Sequence, residues 1–471
     1  MDSQTIVAPM TPMGVSAVAA LRVSGTRVRD AVRCLFGEKS AANLKPREAF
    51  LGTARDPASG KVIDSLLYLY FEAPHSYTGE DVLELYPHGN PLIVRDLLQA
   101  IRGIEGIRLA EPGEFTRRAF LNGKMDLTQA ESVADVIHSA NRAELENAHR
   151  LLSGALSKKI AALTAQVKDI SARLELDVDF AEEEADPDYS GWETRFVSIR
   201  ETIAQLLESF RGKASLSKLP LAVLYGAPNA GKSSLVNALL GEDRVLVSNV
   251  PGTTRDFVEV RLFLDGGEIR LVDTAGIADK ATDELDALSM KKSKEILEEA
   301  DLKILVVDAL DERREAKDES LRHLEPFGKP RVNKPKDFQP DFIVHSKCDL
   351  LGDGQCHPEQ AQRVEESLEA IRISSKTGEG LADLKRFMNA ALFKKNENEE
   401  DLWITSEREK ACLEEALAGV DRVLDLLKAN PAVELLAFEM QLVRRALQSI
   451  TGEISSEDIL QSIFAGFCIG K

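Results

Sequence analysis

The chain has 471 residues, 44% of them hydrophobic and 29% charged, and a formal net charge of −19. That length is too great for one core and points to about three domains. No apolar run reaches the ~20 residues that span a bilayer, so the sequence is not expected to hold a membrane-spanning helix. Residues 1–118 carry 14 basic and 14 acidic groups, and the rest of the chain holds the whole acidic excess. This excludes a nucleic-acid binder that relies on phosphate neutralisation alone; RNA would meet a local patch or a partner's surface.

The five cysteines (Cys34, Cys348, Cys356, Cys412 and Cys468) form no CxxC pair. A reduced, cytoplasmic chain without structural zinc is expected. The opening Met1-Asp2-Ser3-Gln4-Thr5 lacks the basic patch and apolar core of a signal peptide.

In chain order, residues 1–119 mix short apolar segments with Gly/Pro turns and read as a small α/β or α+β domain. Residues 15–23 and 65–71 are expected to be strands, and residues 91–101 a helix with proline in its first turn. Residues 120–217 are helical. There Thr128-Gln129-Ala130-Glu131 fits a capping box, and Ile160, Leu163, Val167, Ile170 and Leu174 form one apolar stripe after a break at Gly154. The acidic run from Asp177 to Asp188 reads as a solvated loop.

Residues 218–392 alternate strands and helices. Residues 219–225 are short and apolar, as a parallel strand should be, and residues 234–240 have helical spacing up to Gly241. Further strands are expected at 258–264, 268–272, 302–307, 341–344 and 370–373, with a hairpin turn at Asp265-Gly266-Gly267. One antiparallel hairpin on a parallel sheet is the layout of a Ras-like domain. Residues 393–471 are helical again, with Leu436, Met440, Val443 and Leu447 on one stripe and a cap at Ser455-Ser456-Glu457-Asp458. A helical bundle split by an inserted nucleotide domain follows.

Between the first strand and helix of that domain stands Gly226-Ala227-Pro228-Asn229-Ala230-Gly231-Lys232-Ser233, a GxxxxGK[ST] phosphate loop. Its backbone N–H groups and helix N-terminus cradle phosphate, Lys232 reaches the β- and γ-phosphates, and the Ser233 hydroxyl suits magnesium. Pro251-Gly252-Thr253-Thr254 supplies hydroxyls on a loop that can sense the γ-phosphate, and Asp273-Thr274-Ala275-Gly276 follows a strand, placing an aspartate for water-mediated contact to magnesium. Ser346-Lys347-Cys348-Asp349 resembles the guanine-reading NKxD motif, with Asp349 accepting from the base, and Ser374-Ser375-Lys376 resembles the loop that meets the guanine oxygen. Ile277 stands where a Ras-type enzyme has its water-orienting glutamine, so another group must act. Asn229 is either a monovalent-cation ligand or a maker of Asx-type backbone bonds.

Three segments outside this domain, residues 71–85 (FEAPHSYTGEDVLEL), residues 112–124 (PGEFTRRAFLNGK) and the terminal Phe467-Cys468-Ile469-Gly470-Lys471, resemble the MnmE (TrmE) family of tRNA-modification GTPases. The resemblance covers essentially the whole chain. It implies a homodimeric, potassium-stimulated GTPase in the cytoplasm whose N-terminal domain binds a tetrahydrofolate derivative, 5-formyl- or 5,10-methylene-tetrahydrofolate. The implied partner is an MnmG-type flavoprotein, carrying FAD, in a heterotetrameric or larger complex; together they would build a carboxymethylaminomethyl-type group on carbon 5 of the tRNA wobble uridine.

By motif position, the resemblance puts folate on Arg22, Glu84, Lys124 and Lys471. GTP falls on Asn229, Ala230, Gly231, Lys232, Ser233, Ser234, Ser248, Asn249, Val250, Pro251, Gly252, Thr253, Thr254, Asp273, Thr274, Ala275, Gly276, Ser346, Lys347, Asp349, Ser374, Ser375 and Lys376. It puts magnesium on Ser233 and Thr254, and potassium on Asn229, Ser248, Val250 and Thr253. The water-positioning acid aligns with Asp286, with Glu284 as the alternative. Cys468 occupies the position of a possible functional thiol, its other reading being a small apolar residue in a packed tail. The sequence departs from the family at Ser346, usually asparagine, and at Asn90, usually glycine. The other class of function open to these motifs is a GTP-switch ribosome assembly factor with no modification chemistry.

Overall fold

The computed structural model describes residues 4–179, 191–212, 219–227, 229–242, 258–273, 295–310, 340–351, 370–393, 402–429 and 433–470. The chain divides into two compact units. One comprises Met1–His138, Glu146–Gly212 and Leu402–Lys471; the other comprises Ser139–Leu145 and Lys213–Asp401.

The first unit opens with a six-stranded sheet in the order β3-β4-β5-β2-β1-β6. Its strands are β1 (Thr5–Pro9), β2 (Leu21–Ser24), β3 (Ala49–Arg55), β4 (Val62–Phe71), β5 (Val82–Tyr86) and β6 (Ile107–Leu109). All neighbours are antiparallel except β1 and β6. Val7, Leu21, Val23, Tyr68 and Leu85 share a core with the helices Val28–Phe36 and Pro91–Arg102. The strand expected over 15–23 is cut back to Leu21–Ser24: Val15 and Val18 are exposed, and of the preceding loop Ser16 alone makes a bridge, to Gly89. The partner β1 was not anticipated, because five residues ending in proline carry too weak a pattern. Asn90, the departure from glycine, accepts from Leu92 N–H at 2.9 Å and caps the helix Pro91–Arg102.

The helical part of this unit packs Ala155–Asp179, Trp192–Glu208, Glu407–Lys428 and Val433–Thr451 around one core. The expected stripe Ile160, Leu163, Val167, Ile170 and Leu174 is buried in it, facing Leu436, Met440, Val443 and Leu447 of the returning chain. Gly154, at φ +83°, separates the helices Arg142–Leu152 and Ala155–Asp179.

The capping box lies two residues earlier than expected. In the helix Leu127–His138, Asp126 Oδ1 accepts from Gln129 N–H at 2.9 Å and Gln129 Oε1 accepts from Asp126 N–H at 3.0 Å. Thr128 donates to the Asp126 carboxylate at 2.7 Å. Glu131 has another task, holding Arg408 at 3.0 Å and 3.1 Å in a buried ion pair. Ser456 does cap its helix, Glu457–Ala465.

The second unit is a six-stranded sheet in the order β12-β11-β10-β7-β9-β8. It consists of β7 (Leu221–Tyr225), β8 (Val258–Leu264), β9 (Gly267–Asp273), β10 (Leu302–Asp308), β11 (Phe342–Ser346) and β12 (Ala370–Arg372). All pairings are parallel except β8 with β9, as the Ras-like layout requires. The hairpin pairs Leu264 with Gly267, so its loop is only Asp265-Gly266. Gly267 is held at φ +149° against Ala140 O, where a Cβ would come within 2.7 Å. The helix after the phosphate loop, Lys232–Glu242, continues one residue past Gly241.

Candidate functional site: a nucleotide centre and an N-terminal polar cluster

The phosphate loop leaves β7 at Gly226, whose φ of +147° puts a hypothetical Cβ 2.2 Å from Val306 O; no side chain fits there. Asn229 lies in the left-handed region at φ +64°. Lys232 is buried, and its ammonium donates to the Gly226 and Ala227 carbonyls at 2.9 Å and 2.8 Å, bent back over the loop it serves. Ser233 Oγ donates to Asp273 Oδ2 at 2.6 Å. The strand end of β9 and the first turn of the helix Lys232–Glu242 thus bring a hydroxyl and a carboxylate together. These are hard oxygen donors, the set that suits magnesium.

The base-reading loops lie at the C-terminal ends of β11 and β12. Ser346 Oγ donates to Ala230 O at 2.6 Å and to Val307 O at 3.2 Å. The serine therefore ties the end of β11 to the phosphate loop. Lys347 Nζ donates to Asn229 O at 2.8 Å and to Asp308 Oδ2 at 2.7 Å. Asp349 Oδ1 accepts from Ser374 Oγ at 2.8 Å, and that hydroxyl also accepts from the Lys376 and Thr377 amides. Asp349, Ser374 and Lys376 are thereby one cluster, and Ser375 lies between two of its members in the chain. Asp308 is a member of this neighbourhood that motif reading missed; its only sequence signal is a carboxylate at the end of a buried strand.

Ser248, Asn249, Val250, Pro251, Gly252, Thr253, Thr254, Thr274, Ala275, Gly276, Glu284, Asp286 and Lys471 lie outside the described residues.

In the N-terminal sheet, Arg22 of β2 stands opposite Glu84 of β5. Its Nε and Nη2 donate to Glu84 Oε1 at 3.0 Å and 2.9 Å. Tyr86 donates to the other carboxylate oxygen. Burial first, then the hydrogen bond to Glu84 and its charge, push the Tyr86 phenol up to about 12, so it remains a donor. The guanidinium lies over the Tyr77 ring at 4.8 Å and the Phe115 ring at 5.6 Å. Its Nη1 is buried with no hydrogen-bond partner among the described residues. A buried guanidinium N–H of that kind suits the carbonyl or carboxylate of a bound ligand.

The loop that carries Tyr77 also receives Lys124, whose ammonium donates to Pro74 O at 2.9 Å. Gly470 packs against Pro9, where a Cβ would come within 2.2 Å of the Pro9 carbonyl, and Pro9 is the neighbour of Arg22's register partner Ala8. Cys468 is exposed, with Sγ 3.9 Å from His138 Nε2.

The mostly parallel sheet, the phosphate loop on buried Lys232 and the clustered base-reading loops define the class of P-loop GTPases. Two family models narrow it: "GTP-binding protein TrmE N-terminus" matches residues 5–124, and "MnmE helical domain" matches residues 127–468. Proteins named "tRNA modification GTPase MnmE" align end to end with this chain. That of Dichelobacter nodosus is 38% identical, over 100% of this chain and 99% of its own length. Those of Carboxydothermus hydrogenoformans and Syntrophus aciditrophicus are 37% and 36% identical, each over 100% of both chains. The chain belongs to the MnmE (TrmE) family.

Proposed function

We propose that this protein hydrolyses GTP and that hydrolysis drives modification of carbon 5 of the tRNA wobble uridine. The observation that carries the nucleotide half is the Ser233–Asp273 pair at 2.6 Å beside buried Lys232. Support for the tRNA half is the name tRNA modification GTPase borne by relatives that align over essentially the full length of both chains.

In this reading Lys232 turns from its loop carbonyls to the β- and γ-phosphates, and the amides from Asn229 to Ser234 hold the phosphate oxygens. Ser233 and Thr254 would hold magnesium, with the Asp273 carboxylate beside Ser233, and the ion would offset charge on those oxygens. Asp349 selects guanine. Asn229, Ser248, Val250 and Thr253 would hold potassium, and Asp286, or in its place Glu284, would orient the attacking water. Residues 1–119, 120–217, 218–392 and 393–471 are the proposed domains. Arg22, Glu84, Lys124 and Lys471 would bind the tetrahydrofolate that donates one carbon, with its polar groups meeting the Arg22 N–H that has no partner among the described residues. A homodimer in the cytoplasm, working with an MnmG-type flavoprotein, completes the proposal.

Steady-state hydrolysis tests the nucleotide half. GTP turnover is expected to be faster in potassium than in sodium at equal ionic strength, and equal rates would reject the cation site. Nucleoside analysis of tRNA from cells lacking the gene tests the other half: unchanged wobble uridine sinks it.

A further inference from the structure

Apart from glycines, three described residues have positive φ: Arg47, Asn229 and Lys347. Asparagine tolerates that region, whereas a lysine is held there by its surroundings against the steric preference of its Cβ. Two of the three are joined to each other, because Lys347 Nζ donates to Asn229 O at 2.8 Å. The same ammonium is gripped by Asp308 Oδ2 at 2.7 Å.

Asp308 is well placed to aim it. It ends β10 directly across from Ser346 of β11, so sheet register sets its distance from the base-reading loop. Its second oxygen accepts from Leu310 N–H at 3.0 Å, which fixes the carboxylate plane. The Asp308 side chain is only 13% exposed, so solvent screens the pair less than an ordinary surface bridge. A lysine ammonium on a flexible stem, without such a counter-charge, divides its time between one carbonyl and water.

We propose that Asp308 is a positioning residue of the nucleotide site: it holds the Lys347 ammonium on the Asn229 carbonyl and so fixes the left-handed turn that presents Asn229 to GTP and a monovalent cation. The inference rests on the proposed role of Asn229, and it adds a group that no motif contains.

The test uses the full chain carrying Asp308→Asn or Asp308→Glu beside the unaltered protein. The asparagine keeps the Leu310 contact and removes the charge. Binding of a fluorescent GDP analogue should weaken roughly tenfold in Asp308→Asn, as expected for one lost charge-assisted hydrogen bond. The potassium concentration for half-maximal hydrolysis should rise, and Asp308→Glu should recover most of both. Thermal melting separates this from a structural role, which would lower the melting temperature and leave nucleotide and cation titrations in place. Unchanged titrations in Asp308→Asn, or a glutamate variant as impaired as the asparagine one, would overturn the proposal. Should Asp308→Asn not fold, Lys347→Ala decides: it must shift the GDP titration, and an unshifted one overturns the link. If the unaltered protein ignores potassium, the cation reading fails on its own, while GDP affinity still judges Asp308.

Discussion

In the sheet that begins at Thr5, charged groups lie along strand interiors and are neutralised across the sheet, as Arg22 is by Glu84 between β2 and β5. The helix Glu114–Leu121 extends this habit: Glu114 accepts from Arg108 at 2.6 Å and from Arg118 at 2.9 Å, and Arg118 reaches Glu80. In the sheet that carries the phosphate loop, β7 is apolar throughout, and Asp273, Asp308 and Ser346 stand at the C-terminal ends of their strands. The exceptions there are Lys303, the second residue of β10, and the antiparallel edge, where Glu259 pairs with Arg270 and Arg261 with Glu268. Strand direction explains the contrast. Parallel strands buried on both faces keep charge near their two ends, whereas antiparallel strands with one covered face tolerate cross-strand pairs. Charge at strand ends is available to a ligand, and charge inside a sheet is mostly spent on the fold.

This division predicts opposite outcomes for substitutions in the two regions. The largest effect belongs to Lys232→Ala: GTP hydrolysis should fall about 10²–10³-fold, the usual loss when one preorganised donor to developing charge is removed. Its melting temperature should stay close to that of the unaltered protein. A variant that loses turnover only in proportion to folded fraction would break the comparison.

Glu114 predicts the reverse. Burial opposes its ionisation, but the guanidinium of Arg108, the Glu111 N–H and then Arg118 outweigh burial and hold the carboxyl at about 2, against an ordinary value of 4.5. Because the folded-state value is the lower one, the stabilisation is complete above pH 4.5 and is lost as the pH falls toward 2. Its size is on the order of 3 kcal/mol. Urea unfolding across that window should show a steep loss in the unaltered protein and a shallower one in Glu114→Gln, with hydrolysis at neutral pH retained. Equal slopes would show that this carboxylate is not what acid attacks.

What the sequence made legible follows the same contrast. The strand before the phosphate loop, the helix after it and the stripe from Ile160 to Leu174 are local patterns, and each lies where the spacing put it. Asp349 and Ser374 each sit in a recognisable loop, but the bond between them is written in neither motif. Pairs that only topology creates were not legible: Arg22 finds Glu84 sixty-two positions away, and Glu131 finds Arg408 across 277. Ser346 shows a subtler limit. A hydroxyl one bond from Cβ reaches the Ala230 carbonyl because register carries β11 that close to the loop, a distance no substitution rule contains.

The smallest predicted effect tests the same point within one helix. Sequence spacing alone favours Thr128 and Glu131 as a reciprocal cap, but the chain enters the helix Leu127–His138 two residues sooner, and Asp126 with Gln129 satisfy the free N–H groups instead. Asp126→Ala should cost about 1 kcal/mol in urea unfolding, the usual value of a lost N-cap. Asp126→Asn should cost close to nothing, since its side-chain oxygen still accepts from Gln129. Hydrolysis should be untouched in both, as expected of polar groups committed to the fold. If the asparagine variant loses as much as the alanine one, the carboxylate acts through its charge and the Thr128 hydroxyl, and the helix start belongs with the buried ion pairs.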